Sequence, residues 1–319
     1  MTPAGHRVAV IGGGSIGVAF AVVFARAGCV VALTDIDDGA LARARTDLDS
    51  RLELLEGAGM LGAPRAEVAA RVGFGTDVDA AVAAADLVQE CAPERRELKR
   101  TVFRRIGAAA PAQAVLASST SAILPSEIAD GLPDDVAARV IVGHPGNPPY
   151  LLPVIEVVPT TRTSAELVER ARTLYRAAGL RPITVRREVE GFAFNRLQGA
   201  LLREAYCLVR DGVVDVDDVD EIVRSGLGRR WSVIGPFETS DLNTRGGIAS
   251  HAAKMGPSYE RMGAERGQHD PWTPELVDEV VAQRRALLPL DDWEERVRWR
   301  DAALLAHTPL WDDTAAAHR

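Results

Sequence analysis

The stretch VAVIGGGSIGVAFAVVFARAG, residues 8–28, decides the fold. It passes from a short β-branched run through a Gly-x-Gly-x-x-Gly turn into the apolar pattern of a helix. In this context Gly12 permits a tight turn, Gly14 lets the backbone approach a pyrophosphate, and Gly17 lets the helix pack closely on the strand. The helix N-terminus offers N–H groups and the positive end of its dipole to phosphates. The stretch therefore predicts a strand, turn and helix that bind a dinucleotide.

An acidic residue follows the next predicted strand at the spacing of a ribose ligand. Asp35 comes directly after the run Val30–Thr34, 18 residues beyond Gly17. In dinucleotide-binding folds a carboxylate at this point binds the 2′-hydroxyl of the adenosine ribose. Because it would repel a 2′-phosphate, we expect NAD and not NADP. Asp37 is a second candidate, but its position past the strand favours a loop or a helix cap.

The rest of the chain changes character once. Up to Val185, short β-branched runs alternate with Ala-, Leu- and Arg-rich stretches of helical period, which is typical of a parallel sheet with crossover helices. We expect an α/β fold, with a Rossmann-type doubly wound sheet in residues 1–187 and a mainly helical domain in residues 188–319. A poorly tied tail is expected after His307. The predicted strands are Arg7–Ile11, Val30–Thr34, Leu87–Cys91, Ala114–Ala117, Val140–Gly143, Val154–Val158 and Ile183–Val185, and the predicted helices are Gly191–Arg210, Val216–Ser225 and most of Pro274–His307.

Composition and charge exclude several classes of protein. The 319 residues are 47% hydrophobic and 26% charged, ordinary values for a globular chain, and the apolar runs are too short to span a membrane. A formal net charge of −8 argues against a broad nucleic-acid surface. The three cysteines are far apart and fit neither a disulfide framework nor a metal site. With no leader-like segment at the N-terminus, we expect a cytoplasmic protein with a small-molecule substrate and no metal.

The stretch VIVGHPGNPPYLLPVIEVV, residues 140–158, carries the candidate catalytic pair. His144 follows one apolar run and Glu156 lies inside the next, where a carboxylate is costly to bury unless it is paired. Two strands joined by a loop of this length can lie side by side and bring Glu156 to His144. The pair would fix the tautomer of the ring and suit a base that works near neutral pH. Alternatively, Glu156 lies on an edge strand facing water and His144 is a structural residue at a strand end.

Two further polar positions stand out. Asn195 interrupts an apolar helical pattern, where Asn has poor propensity and needs a hydrogen-bond partner, although a cap or an interhelical bond would serve equally well. Ser121 lies in a Ser/Thr-rich loop after a predicted strand, and loops at the carboxyl ends of strands line the ligand crevice of open α/β sheets. On this ground alone, equal candidates are Ser118, Ser119 and Thr120.

The segment GHPGNPPYLLPVIEVV resembles the H-x-x-N-P motif and downstream Glu of the 3-hydroxyacyl-CoA dehydrogenase superfamily, and more specifically of its L-gulonate 3-dehydrogenase (lambda-crystallin) branch. The likeness extends through LASSTSAILPSEIADGL, EGFAFNRLQGALLREAYCLVRDG, GLGRRWSVIGPFETSDLN and RVRWRDAALL, so it spans nearly the whole chain. It implies that His144 is the base and Glu156 its partner. It also implies that Ser121 hydrogen-bonds the substrate oxygen and that Asn195 reaches the reacting centre from the second domain.

The same resemblance implies roles in binding. Asn147 matches the motif asparagine, and Glu90 matches an acid near the nicotinamide side of the cleft. One of two adjacent arginines, Arg230 in preference to Arg229, is expected to pair with a substrate carboxylate, a task that suits its planar fork. Two departures from the family pattern, Gly146 after His-Pro and Ser119 in place of an Asn, concern the substrate and not the hydride chemistry.

The function expected from the resemblance is the NAD-dependent oxidation of a small 3-hydroxy acid, such as L-gulonate, to the 3-oxo acid. One alternative is a dehydrogenase of 3-hydroxyacyl-CoA thioesters, which would need basic groups for the phosphates of CoA. Another is a non-catalytic, crystallin-like NAD-binding protein, against which the intact set of polar residues argues. Because relatives dimerise through the helical region, we expect a homodimer.

Overall fold

The computed structural model describes residues 5–268, 273–299 and 303. The chain divides into two compact units, Met1–Leu202 and Arg203–Arg319. This division falls inside one long helix, Phe194–Arg210. The domain boundary predicted between residues 187 and 188 stays a prediction.

The first unit is built on an eight-stranded sheet in the order β3-β2-β1-β4-β5-β6-β7-β8. The first six strands are parallel, and the strand order reverses between β1 and β4, as in a doubly wound dinucleotide-binding sheet. Strand β7 runs antiparallel to β6, and β8 runs parallel to β7. The Rossmann-type fold predicted from the sequence is therefore confirmed. The strands are β1 Arg7–Ile11, β2 Val30–Thr34, β3 Val72–Gly75, β4 Leu87–Glu90, β5 Val115–Ser118, β6 Val140–Pro145, β7 Val154–Pro159 and β8 Arg181–Thr184.

Helices cover both faces of this sheet. Alternate residues of β1 enter two different hydrophobic clusters, with Val8 and Val10 in one and Ala9 and Ile11 in the other, because successive side chains of a strand point to opposite faces. The first helix is apolar all round and is buried from Gly17 to Ala25. The helices are α1 Ser15–Arg26, α2 Asp38–Gly57, α3 Arg65–Ala70, α4 Val78–Val82, α5 Arg96–Ala109, α6 Pro125–Ala129, α7 Asp134–Ala137, α8 Ala165–Ala177 and α9 Phe194–Arg210.

The second unit is helical throughout its described residues. Its buried polar centre is Asp241, which is 0% exposed, accepts a hydrogen bond from the Ile248 main-chain N–H (2.8 Å) and pairs with Arg284 and Arg285. None of the described helices is long and apolar enough to span a bilayer. The elements are α10 Val216–Glu221, a π-helical segment Ile222–Leu227, α11 Gly228–Trp231, α12 Pro236–Leu242, α13 Gly247–Glu265, α14 Pro274–Leu287 and a 3₁₀ turn Leu290–Asp292, after which residues 293–299 are helical.

The seven predicted strands are all present, with ends within two residues of the prediction, but β3 was missed. Two helix predictions need correction. The helix predicted from Gly191 begins at Phe194, because Gly191 and Phe192 both have positive φ. The helix predicted over Val216–Ser225 becomes π-helical after Glu221. The prediction that most of Pro274–His307 is helical agrees with the described residues, which form α14, the 3₁₀ turn and a helix over residues 293–299, with a break at residues 288 and 289. The predicted tail after His307 lies outside the described residues.

Candidate active site

The glycine-rich turn has the shape that a dinucleotide requires. Gly12 has a φ of 109°, and a Cβ there would lie 2.7 Å from the Cys91 carbonyl oxygen. A Cβ on Gly17 would lie 1.8 Å from the Gly12 oxygen, so only glycine permits this contact between helix and turn. By contrast, nothing in the described chain lies within 4 Å of a Cβ on Gly14. The turn leaves open space where a pyrophosphate would approach the N-terminus of α1, whose N-cap Gly14 has no side chain to fill it.

Asp35 lies at the carboxyl end of β2, directly beside this turn. Its Oδ2 accepts a hydrogen bond from the Gly13 N–H at 2.6 Å, and its Oδ1 accepts one from the Ile36 N–H at 2.6 Å. A carboxylate has about four acceptor positions, so capacity remains for ribose hydroxyls. Asp37 is the N-cap of α2 and accepts from the Ala40 N–H at 2.7 Å, which confirms that it acts as a cap. The residues around the turn thus fit NAD.

The structure brings His144 and Glu156 together. They are directly opposite in the antiparallel pair β6–β7, and their Nδ1 and Oε2 atoms are 2.8 Å apart. Both side chains are buried, Glu156 being 1% exposed. The other oxygen of Glu156, Oε1, accepts from the main-chain N–H groups of Ala193 (2.8 Å) and Phe194 (3.0 Å). These donors lie at the start of α9, where the helix dipole also favours a negative charge. The buried carboxylate is therefore paired on both sides.

The second ring nitrogen of His144 points to the loop that follows β5. Its Nε2 lies 3.1 Å from Ser121 Oγ, and Asn195 Nδ2 donates to the Ser121 carbonyl oxygen at 3.2 Å. Phe192 and Phe194 flank the imidazole, with ring centroids 5.5 and 6.2 Å away. His144 is 5% exposed, whereas Ser121, whose hydroxyl contacts Nε2, is exposed. Of the four candidate hydroxyls in this loop, it is Ser121 that contacts the histidine.

Glu90 lies at the end of β4 but is 0% exposed. Lys99 Nζ donates to its two oxygens at 2.9 and 3.0 Å. The carboxylate of Glu90 also accepts from Ser118 Oγ (2.5 Å) and from the Ala92 N–H (2.7 Å). Burial raises the pKa of Glu90 above its ordinary value, and the charge of Lys99 opposes that rise. Its assignment as a cofactor-binding residue stays a prediction.

The two predicted substrate-binding residues are not joined to this cluster by any described contact. Asn147 is exposed in the β6–β7 loop. Arg230 lies in α11 of the second unit, and its buried Nε has no hydrogen-bond partner among the described residues. Their roles stay predictions.

Sequence reasoning missed three contributors to the site. They are Lys99, the main-chain N–H groups at the start of α9, and Phe192, a buried residue with a φ of 50°. The residue Gly191 was a usable signal, because a glycine before an apolar helix commonly marks a left-handed turn. Main-chain donors carry no side-chain signature, so the partner of Glu156 at the helix end was not visible in the sequence.

Comparisons with known proteins identify the relatives of the chain. Residues 7–189 match the model of the 3-hydroxyacyl-CoA dehydrogenase NAD-binding domain, and residues 191–287 match that of the 3-hydroxyacyl-CoA dehydrogenase C-terminal domain. A lambda-crystallin homolog from Bos taurus is 38% identical over 303 residues, which are 93% of each chain. An L-carnitine dehydrogenase from Pseudomonas putida is 38% identical over 257 residues, 78% of this chain and 77% of that protein.

A solved structure is also similar. The FHMPC 5-dehydrogenase, described as an NAD+-dependent dismutase, superposes with a TM-score of 0.71 at 30% identity, covering 93% of this chain and 98% of that one. Both halves of the present chain, the NAD-binding part and the helical part, thus have matching relatives.

Proposed function

The chain belongs to the 3-hydroxyacyl-CoA dehydrogenase family of NAD-dependent dehydrogenases, and on that premise we propose that it oxidises a small free 3-hydroxy acid to the 3-oxo acid with His144 as the base. The observation that carries the proposal is the position of the His144 ring, with one nitrogen on the Glu156 carboxylate and the other on the Ser121 hydroxyl. This arrangement places a ring nitrogen of His144 beside the Ser121 hydroxyl in the loop after β5.

The contacts of the His144 ring determine which of its nitrogens can take a proton. Glu156 accepts only, so the Nδ1 of His144 carries the hydrogen and Nε2 keeps its lone pair. The substrate hydroxyl donates to Nε2, which takes its proton as the carbon is oxidised. The imidazolium that results is stabilised by Glu156, whose charge is held by the helix N-terminus as well. NAD, held by the glycine-rich turn and Asp35, would supply the acceptor for the hydride that leaves the same carbon.

Ser121 and Asn195 orient the reacting oxygen. The Ser121 hydroxyl lies within hydrogen-bond distance of Nε2, so a substrate oxygen that binds beside this hydroxyl is in reach of the same nitrogen. Asn195 holds the Ser121 carbonyl and thereby the loop. Negative charge that develops on the oxygen then meets fixed donors instead of mobile water.

A free acid is supported by two observations. The L-carnitine dehydrogenase relative acts on a compound that is itself a free 3-hydroxy acid. The buried Nε of Arg230 lacks an acceptor in the described chain, and a buried donor without a partner is costly, which favours an anionic ligand. L-Gulonate and short 3-hydroxy acids such as 3-hydroxybutyrate are the candidates.

The experiment compares NADH formation from L-gulonate, 3-hydroxybutyrate and 3-hydroxybutyryl-CoA. A higher kcat/KM for a free acid supports the proposal, and Arg230→Ala should raise KM for that acid about tenfold or more, the cost of one charged hydrogen bond. Arg245→Ala, which removes an exposed arginine of the same unit, is the control. A higher kcat/KM for 3-hydroxybutyryl-CoA would instead support the alternative of a 3-hydroxyacyl-CoA dehydrogenase. Turnover of none of the three, with NADH still bound, supports the non-catalytic alternative.

We also propose a homodimer formed through α9. Four large apolar residues of this helix are exposed, and the largest exposed fractions are 75% for Tyr206 and 69% for Leu197. An exposed apolar stripe of this kind marks an interface, and a second copy of the chain is its expected occupant. Light scattering of Leu197→Glu should show a loss of the dimer that the unmodified protein forms; a monomeric unmodified protein would reject the proposal.

A further inference from the structure

A buried chain of polar contacts crosses the sheet and ends at the residue before His144. Tyr175, on α8, donates its hydroxyl hydrogen to Gln89 Oε1 at 2.6 Å, and Gln89 Nε2 donates to the Gly143 carbonyl oxygen at 3.3 Å. Tyr175 and Gln89 are both 0% exposed. These contacts therefore connect α8 and β4 to the main chain that leads into the proposed base.

The Gly143 carbonyl fixes the direction of both hydrogen bonds. Because this oxygen can only accept, the NH₂ group of Gln89 must face it, and Oε1 of the same amide must face Tyr175. The Tyr175 hydroxyl is then the donor. Burial raises the pKa of Tyr175 well above its ordinary value, so the hydroxyl keeps the hydrogen that it donates. Tyr175 thus orients the amide, and the amide holds the carbonyl.

Gly143 lies at the point where β6 loses one of its two neighbouring strands. The register of β5 and β6 ends at the pair Ser118 and Val142. Gly143 and His144 come after this pair and continue only in the antiparallel pairing with β7. The amide of Gln89 reaches across from β4 and gives the Gly143 carbonyl a donor where β5 has ended. A satisfied buried network of this kind rigidifies the structure around it.

The Tyr175 hydroxyl also fills the space that a side chain at position 143 would need. A Cβ on Gly143 would lie 2.2 Å from the Tyr175 oxygen and 3.0 Å from the ring carbon that carries it. Gly143 has no positive φ, so its backbone conformation does not require glycine. The tyrosine ring is itself stacked on Phe24 of α1, with ring centroids 6.4 Å apart. The contact with Tyr175 therefore explains why position 143 is glycine.

Stability is a weak explanation for these contacts. Replacing two hydrogen-bonded buried groups by apolar groups of the same shape can leave stability nearly unchanged. The other residues of the cluster that Tyr175 joins on this face of the sheet are apolar, so an apolar pair would fit the surroundings. The polar pair instead specifies where one carbonyl group lies.

We propose that Gln89 and Tyr175 are positioning residues, which hold the Gly143 carbonyl and thereby fix the main chain that carries His144. This inference rests on the proposed function, in which His144 is the base. Its ring must meet a partner at each of its two nitrogens. A shift of about 1 Å in such a group can cost about 100-fold in rate. The expected consequence of losing the contacts is a fall in kcat.

The test uses full-length Tyr175→Phe, which removes only the hydroxyl, with the best substrate of the unmodified enzyme. We expect kcat to fall about 10- to 100-fold, with KM and the Kd for NADH changed less than about threefold. Gln89→Met, which removes the amide, should have the same effect. The double variant should have a kcat within about threefold of either single variant, because the two residues act as one unit.

Leu174→Ala is the matched control for stability. Leu174 is the buried neighbour of Tyr175 on α8 and belongs to the same hydrophobic cluster. Truncating it should lower the unfolding temperature at least as much as Tyr175→Phe does, because it leaves a cavity. Its kcat below that temperature should stay within about twofold of the unmodified value, since the Gly143 carbonyl keeps its donor.

A second-site comparison separates positioning from a general loss of stability. Gly143→Ala brings a Cβ against the Tyr175 oxygen, and Tyr175→Phe removes that oxygen. Although Tyr175→Phe alone lowers kcat, adding it to Gly143→Ala should therefore raise kcat about threefold or more. A lower kcat in this double variant than in Gly143→Ala would contradict the proposal. If Gly143→Ala gives no folded protein, the comparison of Tyr175→Phe with Leu174→Ala decides alone.

Four other results would overturn the proposal. They are a kcat within about twofold of the unmodified value for Tyr175→Phe or Gln89→Met, a proportional loss of NADH affinity, losses that multiply in the double variant, and an equal loss of kcat in Leu174→Ala. An unmodified protein that turns over none of the three substrates rejects the proposed function, and this inference falls with it. An active unmodified protein with an equally active Tyr175→Phe variant rejects this inference alone.

Discussion

Replacing Glu156 with glutamine tests the central pair of the site without changing its shape. The carboxylate makes three contacts, to His144 Nδ1 at 2.8 Å and to the N–H groups of Ala193 and Phe194 at 2.8 and 3.0 Å. The amide oxygen of glutamine can keep the two main-chain donors, which turns its NH₂ group toward His144. That group donates to Nδ1, so the ring hydrogen moves to Nε2, the position that a base must leave free.

The size of the effect follows from these contacts. Losing a hydrogen bond to a charged group costs about 1.5–3 kcal/mol, which is about 10- to 150-fold in rate. The wrong tautomer adds to this, and the corresponding Asp-to-Asn change in a Ser-His-Asp triad lowers kcat about 10⁴-fold. We therefore expect kcat of Glu156→Gln to fall about 10³- to 10⁴-fold, with an unchanged Kd for NADH.

The assay is the initial rate of NADH formation, with NADH affinity measured by fluorescence titration. Glu169→Gln is the control, because it removes an exposed carboxylate that pairs only with surface arginines in the described chain. A kcat within tenfold of the unmodified value would refute the reasoning about the tautomer. An NADH Kd that rises in proportion to the loss of kcat would show that Glu156 supports the fold and not the base.

Three further predictions follow from the cofactor side of the cleft. Gly14→Ala should leave the unfolding temperature unchanged, because its Cβ meets open space in the protein, and should weaken NADH binding about tenfold or more, because that space is where the pyrophosphate approaches. Gly17→Ala should fail to give a folded, NADH-binding protein. Thermal unfolding and fluorescence titration distinguish these two results. Asp35→Ser should lower the ratio of kcat/KM with NAD to kcat/KM with NADP about tenfold or more, because the carboxylate no longer repels the 2′-phosphate of NADP. An unchanged ratio would show that Asp35 does not bind the ribose. Burial raises the pKa of the Cys91 thiol to about 12, so at pH near 8 it should resist thiol reagents until the protein is denatured; prompt labelling, located by peptide mass, would contradict this.

The sheet was predictable from the sequence because each element carries a local signal. The glycine turn with its flanking strand and helix identifies β1 and α1, and the apolar runs identify six further strands. Strand β3, VGFG, carries no such run, since two of its four residues are glycine and it pairs only with β2 at the sheet edge. Helix α13 was also missed, because Pro257 inside it and Gly247 at its start oppose helix formation locally. Tertiary packing decides both elements.

Part of the site was predictable for a different reason. A carboxylate inside the apolar run of β7 requires a partner, and the short connection to β6 leaves His144 as the residue in register. For Asn195 the sequence left a helix cap or an interhelical bond open, and the structure shows a bond to the Ser121 carbonyl instead. That contact joins residues 74 positions apart in the chain, so no local sequence pattern predicts it.

The start of α9 explains why Glu156 tolerates full burial. Gly191 and Phe192 have consecutive positive φ values, 75° and 50°, and this turn aims the N–H groups of the next two residues at Glu156. A left-handed conformation costs a bulky residue about 1–3 kcal/mol, and Phe192 offsets this cost by burying its whole side chain against the His144 ring. One carboxylate thereby fixes both the imidazole and the first turn of the helix that carries Asn195. Glu156→Gln keeps the two main-chain donors and leaves this turn in place, whereas a residue without an acceptor at the Oε1 position would displace the turn as well as the base.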